Sequence, residues 1–369
     1  MKILLAPDSF KGCLSSSEVC RALERGIRGF DSAIEIIQFP SSDGGEGFCD
    51  CMLNLFGGDI IKREVTSPIG ERVSARYGYN KETDTAFIEL ALAAGLHFVD
   101  DDSPSILKRN TFGVGELIKD AVALGAKKII MGLGGSATND CGIGILSALG
   151  VKFFDKDGCD LEPIPINLNK IVSVDKTEMI DLSGISIVAA CDVKNPLCGE
   201  NGAAKVFAKQ KGASAEEIEF LDEAALQFSK QLEINPDGVG YGAAGGVGMA
   251  LVEFLGASYV SGAELLVDSQ SFQNALEGAD LLITGEGNSD SQTINGKLVS
   301  VVVSAAKAKN VDSIVISGGL SKGYEALYSL GAKDCYALCE RDEDRKFSIY
   351  HAPELLENII HNNLHKYCK

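Results

Sequence analysis

The chain has 369 residues, 45% of them hydrophobic, which is enough apolar material for two cores, so two domains are expected. Its 52 acidic and 34 basic residues leave a formal net charge of -18 at pH 7, which disfavours nucleic acid as a partner because a polyanion would be repelled. No apolar run approaches the roughly 18 to 20 residues of a membrane span, and Met1 to Asp8 turns polar too early for a secretory signal. We therefore expect a cytoplasmic protein with no membrane partner.

The cysteine and histidine residues give no sign of structural zinc or of a nucleophilic triad. Eleven cysteines are spread along the chain without a CxxC pair, so neither a zinc site nor a disulfide framework is expected. None of the four histidines lies in a glycine-rich loop. Nucleophilic catalysis by a Ser/His or Cys/His pair is therefore disfavoured.

Short apolar runs followed by a glycine-rich turn and a helical pattern recur along the chain. The first run, Ile3 to Ala6, precedes a helix that begins with a capping box, in which Ser15 is the N-cap and Glu18 lies three residues further on. Strands that alternate with helices in this way predict right-handed βαβ units and a mostly parallel sheet. The other strand-like runs are Ile34 to Phe39, Lys128 to Met131, Leu281 to Thr284 and Ile314 to Ser317.

Two stretches lack this βαβ pattern. Residues 62–100 alternate and turn like an antiparallel meander, and residues 151–266 mix short strands with loops. The predicted fold is therefore α/β, with a Rossmann-like doubly wound, mostly parallel sheet and a second, inserted α+β domain. The predicted first domain comprises residues 1–62, 110–150 and 267–369, and the predicted second domain comprises residues 63–109 and 151–266.

Six glycine-rich loops carry charged or hydroxyl side chains, and most of them follow a strand-like run. Glycine lets backbone N–H groups approach a ligand closely, and a loop that opens a helix adds the positive end of the helix dipole. Such loops suit phosphates and other anions, and six of them predict a large polar site. The loops begin at Ala6, Asp43, Gly132, Cys191, Gly242 and Gly285.

The loop after Lys128 to Met131 also matches a dinucleotide-binding pattern. Gly132, Gly134 and Ala137 fit GxGxxA between a strand and a helix. Asp155 or Asp157 falls near the spacing of an acid that binds the ribose. An NAD-dependent oxidoreductase that uses the Gly132 to Ala137 turn is therefore an alternative function, and a tight turn capped by Ser or Thr is a further alternative.

The rest of this loop favours contact with phosphate instead. Ser136, Thr138, Asn139 and Asp140 are polar groups that a dinucleotide fingerprint does not need. The Walker A motif, GxxxxGK[ST], is absent from the sequence, so a P-loop fold is disfavoured.

The loop after Leu281 to Thr284 places two carboxylates at the end of a strand, where open α/β sheets bind ligands. Glu286 and Asp290 are suited to hold Mg²⁺ through water. Capping of the local turn is the alternative role for Asp290.

Charged residues also follow the first two predicted strands. Asp8 and Lys11 follow the first strand, and Asp43 and Glu46 follow the second, so βα connections would bring all four to one edge of the sheet. A lysine there would bind a carboxylate or phosphate, and an aspartate would accept a hydroxyl proton. Lys205 to Gly212 adds positive charge to an acidic protein, with a solvated helix or strand face as the alternative interpretation.

The order of these loops along the chain resembles the type I glycerate kinase family from Met1 to about Ala337. The resemblance implies direct phosphoryl transfer from ATP to D-glycerate with Mg²⁺, with 2-phosphoglycerate as the product of many members. It also implies two α/β domains with the active site in the cleft between them. The segments that carry it are Ala6 to Gly12, Ser42 to Gly47, Thr111 to Ile118, Gly132 to Asp140, Cys191 to Leu197, Gln210 to Ala213, and Asp280 to Thr293 with Gly296-Lys297.

The resemblance assigns a phosphate-binding role to some of these residues. Lys11 and Lys211 would bind the glycerate carboxylate or the transferring phosphoryl group, and Glu286 and Asp290 would hold Mg²⁺. Asn288 stands where the family commonly has Arg, so a permanent bidentate cation is missing from this loop. The residues predicted to contact the nucleotide phosphates are Gly134, Gly135, Ser136, Thr138 and Asn139.

Other residues are predicted to bind and activate the substrate. Asp192 is the predicted base that accepts the substrate hydroxyl proton, with Asp8 and Asp43 as alternatives. The expected partner is a small-molecule substrate, glycerate, and a homodimer stays open. The predicted substrate-binding residues are Asp8, Ser9, Asp43 and Glu46.

Overall fold

Two six-stranded sheets organise the protein, in a computed structural model that describes residues 1–10, 12–42, 44–294, 297–339 and 344–368. A two-stranded sheet, formed by Lys152–Phe154 and Ser173–Asp175, accompanies them. The strands in chain order are β1 (Lys2–Leu5), β2 (Glu35–Gln38), β3 (Asp59–Thr66), β4 (Arg72–Asn80), β5 (Thr85–Glu89), β6 (Lys128–Gly132), β7 (Lys152–Phe154), β8 (Ser173–Asp175), β9 (Ser186–Ala190), β10 (Ser258–Val260), β11 (Leu281–Thr284), β12 (Asn288–Ser289), β13 (Asp312–Leu320) and β14 (Ala332–Cys339).

Helices connect most of the parallel strands. In the part of the chain that the structure describes, no helix is long and apolar enough to cross a membrane. The α-helices are α1 (Ser16–Phe30), α2 (Phe48–Phe56), α3 (Ala91–Ala94), α4 (Phe112–Ala123), α5 (Ile143–Ala148), α6 (Ala215–Gln231), α7 (Val247–Leu255), α8 (Gly262–Val267), α9 (Gln270–Leu276), α10 (Leu298–Ala308), α11 (Ala326–Leu330), α12 (Arg345–Tyr350) and α13 (Ala352–Asn363).

The first compact unit comprises residues 1–56 and 261–369. Its main strands pair in parallel in the order β2-β1-β11-β13-β14, and β12 pairs with the end of β13. Counted along the chain, these five main strands have the order 2-1-3-4-5 that is typical of flavodoxin-like sheets. The direction of strand addition reverses between β1 and β11, and open α/β sheets bind their ligands at the carboxyl ends of the strands beside such a switch point.

Both faces of this sheet are buried, as a parallel sheet requires. Ile314 and Ile316 of β13 pack in one apolar cluster with residues of α1 and α13. Val315, whose side chain points to the other face, packs in a second cluster with Val299 and Val303 of α10. The helices therefore cover the sheet from both sides and leave its strand ends as the place where polar loops gather.

The second compact unit is the continuous segment 57–260. Its sheet has the order β10-β9-β6-β5-β4-β3, in which β5, β6, β9 and β10 run parallel and β3, β4 and β5 form an antiparallel meander. The register aligns Glu89, Gly132 and Ala190, the last residues of three neighbouring parallel strands. The loops that follow these strands therefore leave the sheet at one edge.

The predicted α/β class, with a mostly parallel sheet and an inserted α+β unit, is confirmed, but the division of the chain differs from the prediction. Residues 110–150 belong to the second unit, because β6 pairs with β5 and β9 and not with a strand of the first unit. Residues 57–62 and 261–266 also lie in the opposite unit to the predicted one. A buried parallel strand has the same apolar sequence whichever sheet it joins, so its own residues do not identify its partners.

The predicted capping box at the start of α1 is confirmed. The backbone N–H of Glu18 donates to Ser15 Oγ (3.3 Å), and the backbone N–H of Ser15 donates to Glu18 Oε2 (2.8 Å). Further along α1, Gly26 faces α13, where an alanine Cβ would lie 2.5 Å from the carbonyl oxygen of Glu357. A Cβ at Gly29 would meet only the ring of His361, at 3.4 Å. The close approach of the two helices thus depends on Gly26 and not on Gly29.

We predict opposite effects on stability for alanine at these two positions of one helix. Gly26→Ala should lower the free energy of unfolding by about 1–3 kcal/mol, because the added methyl group overpacks the contact with α13. Gly29→Ala should leave it unchanged or raise it by up to about 1 kcal/mol, because alanine favours the helix. Urea denaturation of both variants measures the difference, and equal stability of the two would show that the α1–α13 approach is not limited by the backbone.

Candidate active site

The ends of β1 and β11 meet at the switch point of the first unit's sheet. The backbone N–H of Asp8 donates to the carbonyl oxygen of Gly285 (2.8 Å), and Asp8 Oδ1 accepts a hydrogen bond from the Ser9 N–H (2.7 Å). Asp8 is buried and Ser9 is half-buried. Two predicted substrate-binding residues therefore lie directly beside the loop that carries Glu286.

Glu286 lies buried in a small network of hydroxyl groups. Its Oε1 accepts hydrogen bonds from Thr293 Oγ1 (2.7 Å) and Ser289 Oγ (3.0 Å), and its Oε2 lies 3.9 Å from Lys297 Nζ. Burial raises the pKa of Glu286, whereas Thr293, Lys297 and Ser289 oppose the rise. The carboxylate is thus held in one orientation next to a cation.

The Asp290 side chain accepts a hydrogen bond within its own turn, as expected from the capping role that the sequence offered as an alternative to metal binding. Its Oδ1 accepts a hydrogen bond from the Gln292 N–H (2.7 Å), while Oδ2 lies 3.4 Å from Asn288 Nδ2. Asn288 itself is exposed on β12, and its Oδ1 accepts a hydrogen bond from Ser321 Oγ (2.9 Å). One carboxylate oxygen of Asp290 is therefore used by the fold, and among the described residues the other has only the long contact with Asn288.

Glu286 and Asp290 are a candidate pair of ligands for Mg²⁺. Among the residues that the structure describes, no group of three or more His, Cys, Asp or Glu side chains is arranged to hold a metal ion. Mg²⁺ beside a nucleotide usually takes only one or two carboxylates, since phosphate oxygens and water supply the rest. After burial, the charge of Asp290 is one of the causes that raise the pKa of Glu286, so the two groups interact electrostatically.

Two predicted site residues, Lys11 and Asp43, lie outside the described residues, as does Gly296. Glu46, a further predicted substrate-binding residue, is exposed on the short turn before α2. In the described part of this edge, Asp8 and Glu286 are the acidic side chains most deeply buried in the two loops.

In the second unit, the loop after β6 is anchored by Asp140. The fully buried carboxylate accepts hydrogen bonds from the N–H (2.8 Å) and Oγ1 (2.7 Å) of Thr111, and from the backbone N–H groups of Gly142 (3.0 Å) and Gly144 (3.2 Å). Burial raises the pKa of Asp140, and these hydrogen bonds oppose the rise. Because Thr111 precedes α4 and Gly142 precedes α5, one side chain fixes the starts of two helices.

The Gly242 loop, which the sequence left without a role, packs against this anchored loop. Gly245 and Gly246 have φ values of +69° and +97°, conformations that favour glycine. The N–H of Cys141 donates to the carbonyl oxygen of Gly245 (3.0 Å), and a Cβ at Gly246 would lie 2.7 Å from Cys141 Cα. The Gly242 loop is therefore a close-packed turn that supports the loop after β6.

Lys211 is the cation that the fold brings to the loop after β6. Its side chain is buried, and Nζ donates to Ser136 Oγ (2.8 Å) and to the carbonyl oxygen of Thr138 (2.7 Å). Burial lowers the pKa of Lys211 to about 7, although the charge of Asp140 acts in the opposite direction. Lys209, on the same turn, is exposed, so the segment from Lys205 to Gly212 is not a uniformly solvated face.

Two further polar atoms of this loop are buried without a hydrogen bond. Thr138 Oγ1 and Asn139 Oδ1 have no partner among the described residues, and both side chains are at most 1% exposed. Buried polar groups in proteins almost always have a partner, so the unpaired oxygens in this loop are candidates to bind a polar ligand. Two predicted nucleotide-binding residues, Ser136 and Thr138, thus contact Lys211, and a third, Asn139, follows Thr138 in the chain.

Asp192 follows β9 and lies at the same sheet edge as the Gly132 loop, because Gly132 is in register with Ala190. Asp192 is half-buried, and its neighbour Val193 accepts a hydrogen bond from Tyr259 Oη (2.6 Å). Burial, followed by the effects of Cys191 and Asp192, raises the pKa of Tyr259. Tyr259 therefore fixes the backbone next to the predicted base.

Sequence reasoning missed two buried charged residues of this unit. Arg109 is 5% exposed, and its Nη1 donates to the carbonyl oxygen of Lys211 (2.7 Å), so it braces the turn that carries the lysine. Burial lowers the pKa of Arg109. Glu89 ends β5 and is 3% exposed. A charge at the end of an apolar strand is a signal that would have identified Glu89, whereas no local pattern marks Arg109.

The context of the dinucleotide pattern differs from the prediction. β6 ends at Gly132, but the next helix, α5, begins only at Ile143, so the Gly132 to Ala137 segment does not open a helix. Asp155 accepts hydrogen bonds from the N–H groups of Asp157 (2.9 Å) and Cys159 (2.9 Å) in a surface turn after β7. A dinucleotide fingerprint needs the helix start and the acid at the sheet edge, so the NAD alternative loses its structural basis.

Comparisons with known proteins agree with the resemblance over nearly the whole chain. Residues 3–367 match the model of the glycerate kinase family. A glycerate kinase of Bacillus cereus is 42% identical over 97% of this chain and 92% of its own length. The glycerate 2-kinase of Escherichia coli is 40% identical over 90% of this chain and 88% of its own. A crystal structure from Salmonella typhimurium LT2, provisionally assigned as glycerate kinase 2, matches with a TM-score of 0.80 at 39% identity and covers 98% of this chain and 96% of that one.

These comparisons, together with the α/β fold, identify a phosphotransferase that acts on a small molecule. The chain belongs to the glycerate kinase family.

We predict that Lys211 makes stability depend on pH. Between its folded pKa of about 7 and the ordinary lysine value of 10.5, the unfolded chain binds more protons than the folded chain. The free energy of unfolding should therefore gain up to about 1.4 kcal/mol per pH unit from this group as pH rises above 7. Lys211→Met should lack that gain. The difference in the free energy of unfolding between the wild type and Lys211→Met, measured by urea denaturation, should therefore grow from about pH 7 to about pH 9.5.

The matched control for this prediction is Lys209→Met, which removes an exposed lysine from the same turn. Its stability should follow the wild-type pH profile. A Lys211→Met profile parallel to that of the wild type would contradict the depressed pKa.

Proposed function

We propose that the protein transfers the γ-phosphoryl group of ATP to D-glycerate and forms 2-phosphoglycerate. Membership of the glycerate kinase family supports the substrate, and the name of the Escherichia coli relative, glycerate 2-kinase, supports the position of phosphorylation. The observation that carries the proposal is the buried ammonium group of Lys211 beside the glycine-rich loop after β6.

The loop after β6 would bind the phosphates of ATP. Lys211 Nζ already donates to Ser136 Oγ, and the unpaired Thr138 Oγ1 lies in the same loop. Gly135, with φ +74°, turns the chain where a side chain would crowd Ala91. The residues proposed to contact the phosphates are Gly134, Gly135, Ser136, Thr138 and Asn139.

Positive charge matters here because the protein as a whole carries a net charge of -18. A triphosphate approaching such a protein is repelled at long range, so local cations and backbone N–H groups must compensate. Phosphoryl transfer depends mostly on positioning and charge neutralisation and needs little covalent chemistry from the protein. We propose that Lys211, together with Lys11, neutralises the transferring phosphoryl group or the glycerate carboxylate.

Asp192 would act as the base. In the proposed step, the substrate hydroxyl oxygen forms a bond to the γ-phosphorus, the bond from that phosphorus to the bridging oxygen breaks, and ADP leaves. Asp192 takes the hydroxyl proton during this exchange. Asp8 and Asp43 are the alternative bases in the proposal.

The first unit's sheet edge would hold the remaining groups. Asp8, Ser9, Asp43 and Glu46 are proposed to bind glycerate, with Glu46 the most exposed of those that the structure describes. Glu286 and Asp290 would hold Mg²⁺, which when bound neutralises the charge of the β- and γ-phosphates.

The proposed reaction predicts ATP turnover that requires D-glycerate. Purified protein with ATP, Mg²⁺ and D-glycerate should release ADP in a coupled assay, because the acceptor hydroxyl is needed to complete the transfer. ³¹P NMR of the product should show 2-phosphoglycerate. ADP release at the same rate without glycerate would contradict the proposal, and 3-phosphoglycerate as the product would contradict the position of transfer.

A second prediction concerns the base. Asp192→Asn should lower kcat by at least about 10²-fold, because an amide cannot accept the hydroxyl proton. Asp157→Asn, the same change at an exposed turn of the same unit, should leave kcat near the wild-type value. Near-normal turnover by Asp192→Asn would rule Asp192 out as the base and leave Asp8 or Asp43 in that role.

A further inference from the structure

Ser42 carries a buried hydroxyl group that the fold does not use. The residue is 4% exposed, and its Oγ has no hydrogen-bond partner among the described residues. A buried hydroxyl group that lacks a partner has lost its hydrogen bonds to water without replacement, which is unfavourable for folding. Native proteins contain few such groups, and each one calls for a physical cause.

Ser42 lies at the edge of the sheet where a ligand is expected to bind. Ser42 follows β2, and β2 pairs in parallel with β1 beside the switch point of the first unit's sheet. The N–H of Ser41 donates to the carbonyl oxygen of Pro7 (3.2 Å), which precedes Asp8. The Ser42 hydroxyl is therefore placed at the ligand-binding edge of the sheet, next to the loop that contains Asp8.

Ser41 shows what a structural hydroxyl looks like at the same place. Its Oγ donates to the carbonyl oxygen of Phe39 (2.8 Å), and its N–H, besides its contact with Pro7, donates to Ser16 Oγ (2.8 Å). Ser16 Oγ in turn donates to the carbonyl oxygen of Pro7 (2.6 Å). Ser16 and Ser41 thus hold the ends of β1 and β2 together, whereas Ser42, equally buried, does not take part.

The second unit repeats this observation at its own sheet edge. Thr138 Oγ1 and Asn139 Oδ1 are likewise buried without a partner among the residues described, and they lie in the loop that follows β6. Unpaired buried oxygens therefore occur in strand-end loops of both units, where parallel sheets bind ligands.

We propose that Ser42 is a substrate-binding residue whose hydroxyl group hydrogen-bonds an oxygen of the small hydroxy acid; this assignment rests on the proposed function. The matching group is a hydroxyl group of glycerate and not its carboxylate, because the buried carboxylate of Asp8 follows the adjacent strand. A substrate hydroxyl group can donate a hydrogen bond to the Asp8 carboxylate and accept one from Ser42 Oγ, whereas a second carboxylate would be repelled by Asp8.

The test compares Ser42→Ala with Ser41→Ala, the same change at adjacent buried serines. Ser42→Ala should raise KM for D-glycerate about tenfold, which corresponds to about 1.4 kcal/mol of lost binding, and leave KM for ATP unchanged. Its thermal midpoint without ligands should equal or exceed that of the wild type, because the change removes an unpaired buried hydroxyl group. Ser41→Ala should keep both KM values and lower the midpoint by roughly 2–4 °C.

Each result decides the assignment. An unchanged KM for D-glycerate in Ser42→Ala overturns it while leaving the proposed function intact, since the variant still phosphorylates glycerate. A fall in thermal midpoint as large as that of Ser41→Ala also overturns it, because the Ser42 hydroxyl group would then be structural. Wild-type protein that shows no glycerate-dependent turnover overturns the proposed function, and the assignment of Ser42 with it.

Discussion

The burial of the Lys211 ammonium group against the loop after β6 is the interaction on which the proposed phosphate-binding site of the second unit depends. Removing a cation from water is unfavourable. The loop compensates with two hydrogen bonds from Lys211 Nζ, to Ser136 Oγ and to the carbonyl oxygen of Thr138. The lowered pKa of Lys211 expresses this cost. A bound polyphosphate would offset this free-energy cost, because an anion next to the amine favours its charged form.

The rest of the second unit holds this arrangement in place. Arg109 donates a hydrogen bond to the carbonyl oxygen of Lys211, and Asp140 connects the glycine-rich loop to the starts of α4 and α5. The Gly242 loop closes against Cys141 through a backbone hydrogen bond. A ligand-binding side chain is positioned well only when its neighbours are themselves held in place, and here hydrogen bonds hold both Lys211, the proposed phosphate-binding residue, and the loop that it contacts.

The sequence predicted the features that depend on neighbouring residues. The capping box of Ser15 and Glu18, the strand-like runs and the glycine-rich turns all follow from local stereochemistry, and the structure confirms them. It did not predict that residues 110–150 join the second unit, because strand pairing is decided by distant contacts. Family resemblance pointed to Lys211, but its contacts with Ser136 and Thr138, like the brace from Arg109, join residues far apart in the chain and needed the fold to be seen.

A crystal structure with a non-hydrolysable ATP analogue tests the central claim most directly. The account predicts that a phosphate oxygen lies within hydrogen-bond distance of Lys211 Nζ, with Thr138 Oγ1 and the backbone N–H groups around Gly135 as further contacts. A triphosphate bound elsewhere, with Lys211 Nζ still bonded only to Ser136 and Thr138, would contradict it.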